Sequence, residues 1–266
     1  MAIRAVHIEL VEEMSSSSFI NALRRFVCIR GAVKEFRSDR GTNFVGALDA
    51  LGVDGMFVER GPVQDYLQKS GILWRFNPPH ASHMGGSWER MIGIARGILD
   101  AMLSQHKGQL THEVLHTFMY EVSAIINSRP ITPISSDPEN PVIISPAMLL
   151  TQKTGFDPVP NLDNDIKCLY KAEWKRVGVL SDMFWKRWKG EYLSNLQPRR
   201  KWNEVQKNMK SGDVVLVRDL TTDRTHWPLA LVTHVFPSKD DDNVRTVQVR
   251  MLKDGKTTCA HDEYHA

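Results

Sequence analysis

Asp39 and Glu89 are the two acids whose surroundings could support chemistry. Asp39 lies in Phe36-Arg-Ser-Asp39-Arg-Gly-Thr-Asn43-Phe44, after a short apolar stretch and just before the turn-forming Gly41 and Asn43. Glu89 lies in Gly85-Gly-Ser-Trp-Glu89-Arg, where a helical pattern begins. Carboxylates delivered from a strand end and a helix start can converge on a divalent cation. Mg²⁺ and Mn²⁺ prefer such hard oxygen ligands, and a metal pair stabilises the attacking and leaving oxygens of phosphoryl transfer. A position near a helix N-terminus also favours the ionised form of Glu89. The chemistry this pair implies is metal-assisted phosphodiester cleavage or transfer.

A second group of residues could bind the polyanion. Lys186, Arg187, Lys189, Arg199, Arg200 and Lys201 are interleaved with Trp185, Trp188 and Trp202. Basic groups of this kind neutralise phosphates, while indoles either stack on bases or pack inward. Trp185 and Trp188 are expected to be core, because such rings usually bury. Arg96 falls seven residues after Glu89 on the same helix face, where it could meet a phosphate. His80 and His83 flank a Gly-rich loop and are read as loop residues. His112-Glu113-Val-Leu-His116 spells the zinc-protease signature, but no third-ligand motif follows, so a protease is not expected.

The elements that would carry these groups follow from periodicity. Val6, Ile8 and Leu10 alternate with polar residues and predict a first strand. The run Ser15–Ser18 offers an N-cap for a helix through Phe19, Ala22, Leu23 and Phe26, stopped by Gly31. Val33 to Phe36 predicts a strand leading into Asp39, and this strand–helix–strand order implies a parallel pair. Residues 44–70 read as helical at both ends around a Gly52–Gly55 loop, and Ile72 to Phe76 as another strand. A long amphipathic helix is expected from Ser87, with Met91, Ile94, Ala95, Ile98, Met102 and Leu103 as its apolar stripe. Thr111 should cap the next helix, which ends before Arg129-Pro130. The seven prolines of residues 130–165 predict an extended connection. A basic, Trp-rich helix should follow, then short strands at Val214–Val217, Leu229–Phe236 and Val244–Arg250, as in a small barrel.

Charge divides the chain unevenly. Residues 1–166 carry 15 basic and 18 acidic side chains, whereas residues 167–266 carry 19 and 13. The excess concentrates in 167–210, with 12 basic against 4 acidic, a balance of +8 that points to a polyanionic partner. The three cysteines, Cys28, Cys168 and Cys259, are widely spaced and form no Cys-x-x-Cys pair, so reduced thiols in an intracellular protein are expected. No apolar run approaches membrane-spanning length, and no secretory h-region opens the chain.

The ordered words Phe19-Ile-Asn-Ala-Leu-Arg-Arg-Phe26, Arg37-Ser-Asp39-Arg-Gly-Thr-Asn-Phe44, Asn77-Pro-Pro-His80, Gly85-Gly-Ser-Trp-Glu89-Arg and Ile126-Asn-Ser-Arg-Pro130 together resemble the Asp–Asp–Glu integrase core. The resemblance is closest to the integrase of Pao/BEL-type retrotransposons. It continues through Phe184-Trp-Lys-Arg-Trp188, Gly212-Asp-Val-Val-Leu216 and Trp227-Pro-Leu229, and so covers roughly residues 4–255. It implies an α/β fold: an RNase H-like core with an incomplete N-terminal edge, a helical connection and a small Src-homology-like β-barrel. The corresponding domains would span 1–135, 136–200 and 201–266. Asp39 then resembles the second catalytic Asp and Glu89 the catalytic Glu, together ligating Mg²⁺ or Mn²⁺, with Asn43 orienting the turn. DNA would be the partner, self-association and a nuclear location would be expected, and there would be no membrane partner.

Departures from that pattern shape the expected activity. Glu9, Glu12, Glu13 and Glu35 are the only acids before Asp39, and no His/Cys zinc module is present in the sequence. Asp39 and Glu89 are separated by 49 residues, longer than in retroviral relatives, which suggests an insertion around Leu48–Gly61. The segment Thr257 to Ala266 leaves the family pattern, as if the barrel were clipped. The expectation is an N-terminally truncated integrase that binds nucleic acid but does not catalyse strand transfer alone. The competing expectation is a host-recruited, non-catalytic scaffold.

Overall fold

The computed structural model describes residues 3–13, 15–38, 65–66, 69–76, 86–105, 110–133, 143–153, 172–196, 208–217, 222–237, 244–253 and 256–265. Both helices and strands occur along them, so the protein is mixed α/β. Two compact units are present: residues 8–93 form one, and residues 1–7 with 94–266 form the other. The domain divisions expected at 135 and 200 both fall inside the second unit.

The first unit is built on helix α1 (Ser16–Arg30) and two short strands, β1 (Glu35–Ser38) and β2 (Leu73–Phe76). Ser15 caps α1 by accepting a hydrogen bond from the Ser18 N–H, and Gly31 ends it at φ +86, a conformation costly for any side chain. Leu23 and Ile72 are the buried centre, with Phe19, Ile20, Val33, Phe36 and Tyr66 packed around them. The strands pair in parallel, Glu35 with Leu73 through Ser38 with Phe76. The first residues of helix α2 (Gly86–Gln105) complete this unit.

No strand forms at Val6–Leu10, contrary to the alternation of its residues. The physical reason is visible at Val6 and Arg4, whose backbone groups bond to side chains rather than to a ladder. Asn127 donates from Nδ2 to the Val6 carbonyl, and its Oδ1 accepts from the Val6 N–H, both at 2.7 Å. Arg129 donates to the Arg4 carbonyl. The parallel pair therefore joins β1 to β2 instead of to a strand at 6–10.

In the second unit, helix α3 (His112–Asn127), capped by Thr111, packs on the long helix α5 (Glu173–Leu196). Between them lie a two-residue antiparallel pair, β3 (Thr132–Pro133) with β4 (Ile143–Ile144), and a short helix α4 (Pro146–Thr151). Helix α4 was expected to be extended chain. Ser145 caps it and Pro146 opens it, so the proline that suggested extension is in fact its first residue. Strands β5 (Val214–Leu216), β6 (Leu229–Pro237), β7 (Val244–Lys253) and β8 (Lys256–His265) form one antiparallel sheet in that order. Its core is Val217, Ala230, Val232, Val247 and Val249. Strand β8 occupies the segment expected to be clipped, pairing with β7 from Lys253–Lys256 to Thr246–His265.

The words Asn127-Ser-Arg-Pro130 form a structural clamp at the end of α3. Besides the bonds already given, Ser128 Oγ donates to the Ile125 carbonyl at 2.8 Å, and Arg129 Nη1 donates to the Ile126 carbonyl at 2.8 Å. The Tyr192 hydroxyl of α5 donates to the Pro130 carbonyl at 2.9 Å. Burial pushes the Tyr192 phenol above its ordinary 10.0, and the charges of Arg129 and Arg4 partly offset this. Burial likewise lowers the Arg129 guanidinium.

A phenol whose folded pKa is raised contributes stability that is complete below the unfolded pKa and is lost as pH rises through the folded value. Tyr192 is thus expected to ionise above the ordinary phenol range in an alkaline titration read by phenolate absorbance, with unfolding setting in as it does. Tyr192→Phe should remove that late ionisation and cost about 1 kcal/mol, the worth of one hydrogen bond. A variant as stable as the parent, with the late ionisation retained, would contradict the clamp.

Candidate nucleic-acid interface

Helix α5 sorts its residues by face. Val177, Leu180, Phe184, Trp185, Trp188 and Tyr192 are buried, while Lys186 is exposed and Arg187 half-buried. Residues four apart lie on one helix face. That spacing stacks Phe184 on Trp188 at 6.1 Å and Trp188 on Tyr192 at 5.8 Å between ring centroids. Phe118 of α3 meets Phe184 edge-on at 6.5 Å. Trp185 and Trp188 are core residues, as expected; Trp202 lies outside the described residues.

Lys189 is a correction. It was expected to face phosphate, yet it is 1% exposed. Its Nζ donates to Thr222 Oγ1 and lies 5.5 Å from the Trp185 ring centroid. A buried ammonium with those neighbours acts inside the protein. Arg187 Nη2 reaches Gln105 Oε1 at 3.4 Å, so one of its donors is already engaged.

The segment Thr222–Trp227 explains the burial of Lys189. Its Thr222 carbonyl accepts from Trp185 Nε1 at 3.2 Å. Trp227 meets Trp185 edge-on at 5.0 Å and Tyr192 at 5.4 Å, and its Nε1 donates to Ser128 Oγ at 3.4 Å. Arg224 is the residue that sequence patterns did not single out. It pairs with Glu121 of α3 and, at 2.7 Å, with Asp182 of α5, with only 7% of its own side chain exposed. Helix α5 and the segment leading into β6 are thereby fastened together. No local sequence signal marks Arg224, because both acids come from distant helices.

The remaining site residues divide as follows. Arg96 of α2 and Lys186 of α5 are exposed. Arg199, Arg200 and Lys201 lie outside the described residues, as do Asp39, Asn43, His80 and His83. Ser38 is the last residue of β1, so Asp39 directly follows a strand, and Glu89 is in the first turn of α2. The distance between the Asp39 and Glu89 carboxylates falls outside what is described. Glu9 does not stand free to join them: its carboxylate pairs with Arg25 Nε of α1 at 2.9 Å. No helix among the described residues is long and apolar enough to cross a membrane.

A family of unknown function (DUF5641) matches residues 172–260. The matched stretch starts one residue before α5 and runs into β8, so it spans the helix, the fastening segment and the sheet. No curated protein matches the chain.

Proposed function

We propose that the protein binds nucleic acid within DNA integration, as a Pao/BEL-type integrase whose present chain does not transfer strands by itself. The observation that carries this is the ordered set of integrase-like words from Phe19 to Trp227 in one chain whose second half is basic. In this proposal residues 1–135 form an RNase H-like core, and residues 201–266, which include β5 to β8, a Src-homology-like barrel. The parallel pair β1–β2, with Asp39 next after β1 and Glu89 in the first turn of α2, is compatible with that core.

Asp39 and Glu89 offer hard carboxylate oxygens, which suit Mg²⁺ or Mn²⁺. They supply two ligands where the family uses three. Each acid upstream is a glutamate, and Glu9 is engaged by Arg25. Without a third carboxylate the developing charge on the transferring phosphoryl group lacks most of its metal stabilisation.

The test is incubation of the 266-residue chain with donor and target DNA in Mn²⁺, with binding measured in parallel. Binding to duplex DNA with no strand transfer is expected. Turnover that disappears in Asp39→Asn and Glu89→Gln would refute the inactive state. Absence of DNA binding even at low salt would refute the nucleic-acid role and favour a protein scaffold.

A further inference from the structure

We propose that His112 and His116 form an open two-imidazole site on α3 for a borderline divalent transition ion such as Ni²⁺, Zn²⁺ or Cu²⁺. The two residues stand one helical turn apart, which puts their side chains on the same face. Their rings are nearly parallel, 18° between planes, with centroids 5.7 Å apart. Imidazoles that share one ion at about 2.0–2.1 Å from each nitrogen have centroids roughly 5–6 Å apart, so the separation fits, and side-chain rotation of the stacked rings would bring both in-plane lone pairs onto the ion. Tyr120, a turn further along, meets the His116 ring edge-on at 4.9 Å and 85° and limits its rotation. His112 is exposed and His116 half-buried, so an ion can enter from solvent.

Neutral imidazole suits Zn²⁺, Cu²⁺ and Ni²⁺, whereas Mg²⁺ and Mn²⁺ prefer oxygen, so this site is chemically distinct from Asp39 and Glu89. Glu113 is exposed but projects about 100° round the helix from His112. Among the described residues no group of three His, Cys, Asp or Glu is placed to hold a metal. The ion therefore keeps open positions for water, as an exchangeable site does and a closed structural site does not. The N-terminus of α3 also opposes a cation modestly, which keeps binding weak and reversible.

Once one imidazole holds the ion, the second binds intramolecularly, which should raise affinity at least about tenfold over either residue alone. Isothermal titration of the full chain with Ni²⁺, then Zn²⁺, tests this in a Cys28→Ser background, because Cys28 is an exposed thiol. His112→Ala and His116→Ala should each lose that factor and keep only single-imidazole affinity, and the double variant should lose that residual binding as well. Ten histidines are present, so a register control matters: His116→Thr combined with Thr117→His keeps the count but breaks the four-residue spacing. It should bind like the single variants, while far-UV dichroism without metal stays that of the parent. Retained affinity in the register variant, or single variants that bind as tightly as the parent, would overturn the site.

Discussion

Trp188→Ala is expected to destabilise the second unit by about 3–5 kcal/mol, the usual cost of truncating a fully buried tryptophan. Trp188 is 0% exposed and sits between Phe184 and Tyr192 in a stack that runs down α5. Removing it leaves a cavity bounded by rings too rigid to collapse into it. Trp188→Phe should cost less than half as much. It keeps the stacking face, and the lost indole N–H has no acceptor among the described residues, so no hydrogen bond is forfeited. Urea unfolding followed by far-UV dichroism measures both. A loss under 1 kcal/mol for the alanine variant, accompanied by weakened DNA binding, would move Trp188 from the core to the interface. The reading of Trp188 as a packing residue would then fall.

What sequence reasoning recovered and what it missed have separate physical causes. The caps Ser15 and Thr111 and the stop at Gly31 were legible because each acts within four residues of itself. The apolar stripe of α2 was legible for the same reason, with Ala95, Ile98 and Met102 buried. The alternation at Val6–Leu10 was read as a strand because a pattern of period two says nothing about what the backbone bonds to. Asn127 and Arg129, more than a hundred residues away, decide that. Strand β8 was missed because its residues are polar and lack strand alternation; pairing with β7, not composition, makes it a strand.

Lys189 shows the same limit for the site. A lysine among exposed bases looks solvent-facing until Thr222–Trp227 folds over it, and nothing near residue 189 announces that segment. Arg224 was invisible because its significance lies in Glu121 and Asp182. Charge counting therefore overstated the outward basic surface of α5, because Lys189 is turned inward.

Replacing Arg199, Arg200 and Lys201 together by alanine is expected to flatten the salt dependence of DNA binding by about two to three units of slope. Each phosphate neutralised by a basic side chain releases counterions and contributes roughly −0.9 to the slope of log K against log salt on duplex DNA. The burial of Lys189 sharpens this expectation. With Lys189 turned inward and Arg187 partly engaged by Gln105, the +8 balance of residues 167–210 must act mainly through its other bases. Lys189→Met should accordingly leave the slope unchanged, because that side chain has no access to phosphate. Its effect should instead be on stability, through the contacts with Thr222 and Trp185. Sequence preference should barely shift in the triple variant, since phosphate contacts position a protein without reading bases. Fluorescence anisotropy on a labelled duplex across a range of salt concentrations provides the measurement. An unaltered slope in the triple variant, or a slope reduced by one unit in Lys189→Met with stability intact, would overturn this assignment of the interface.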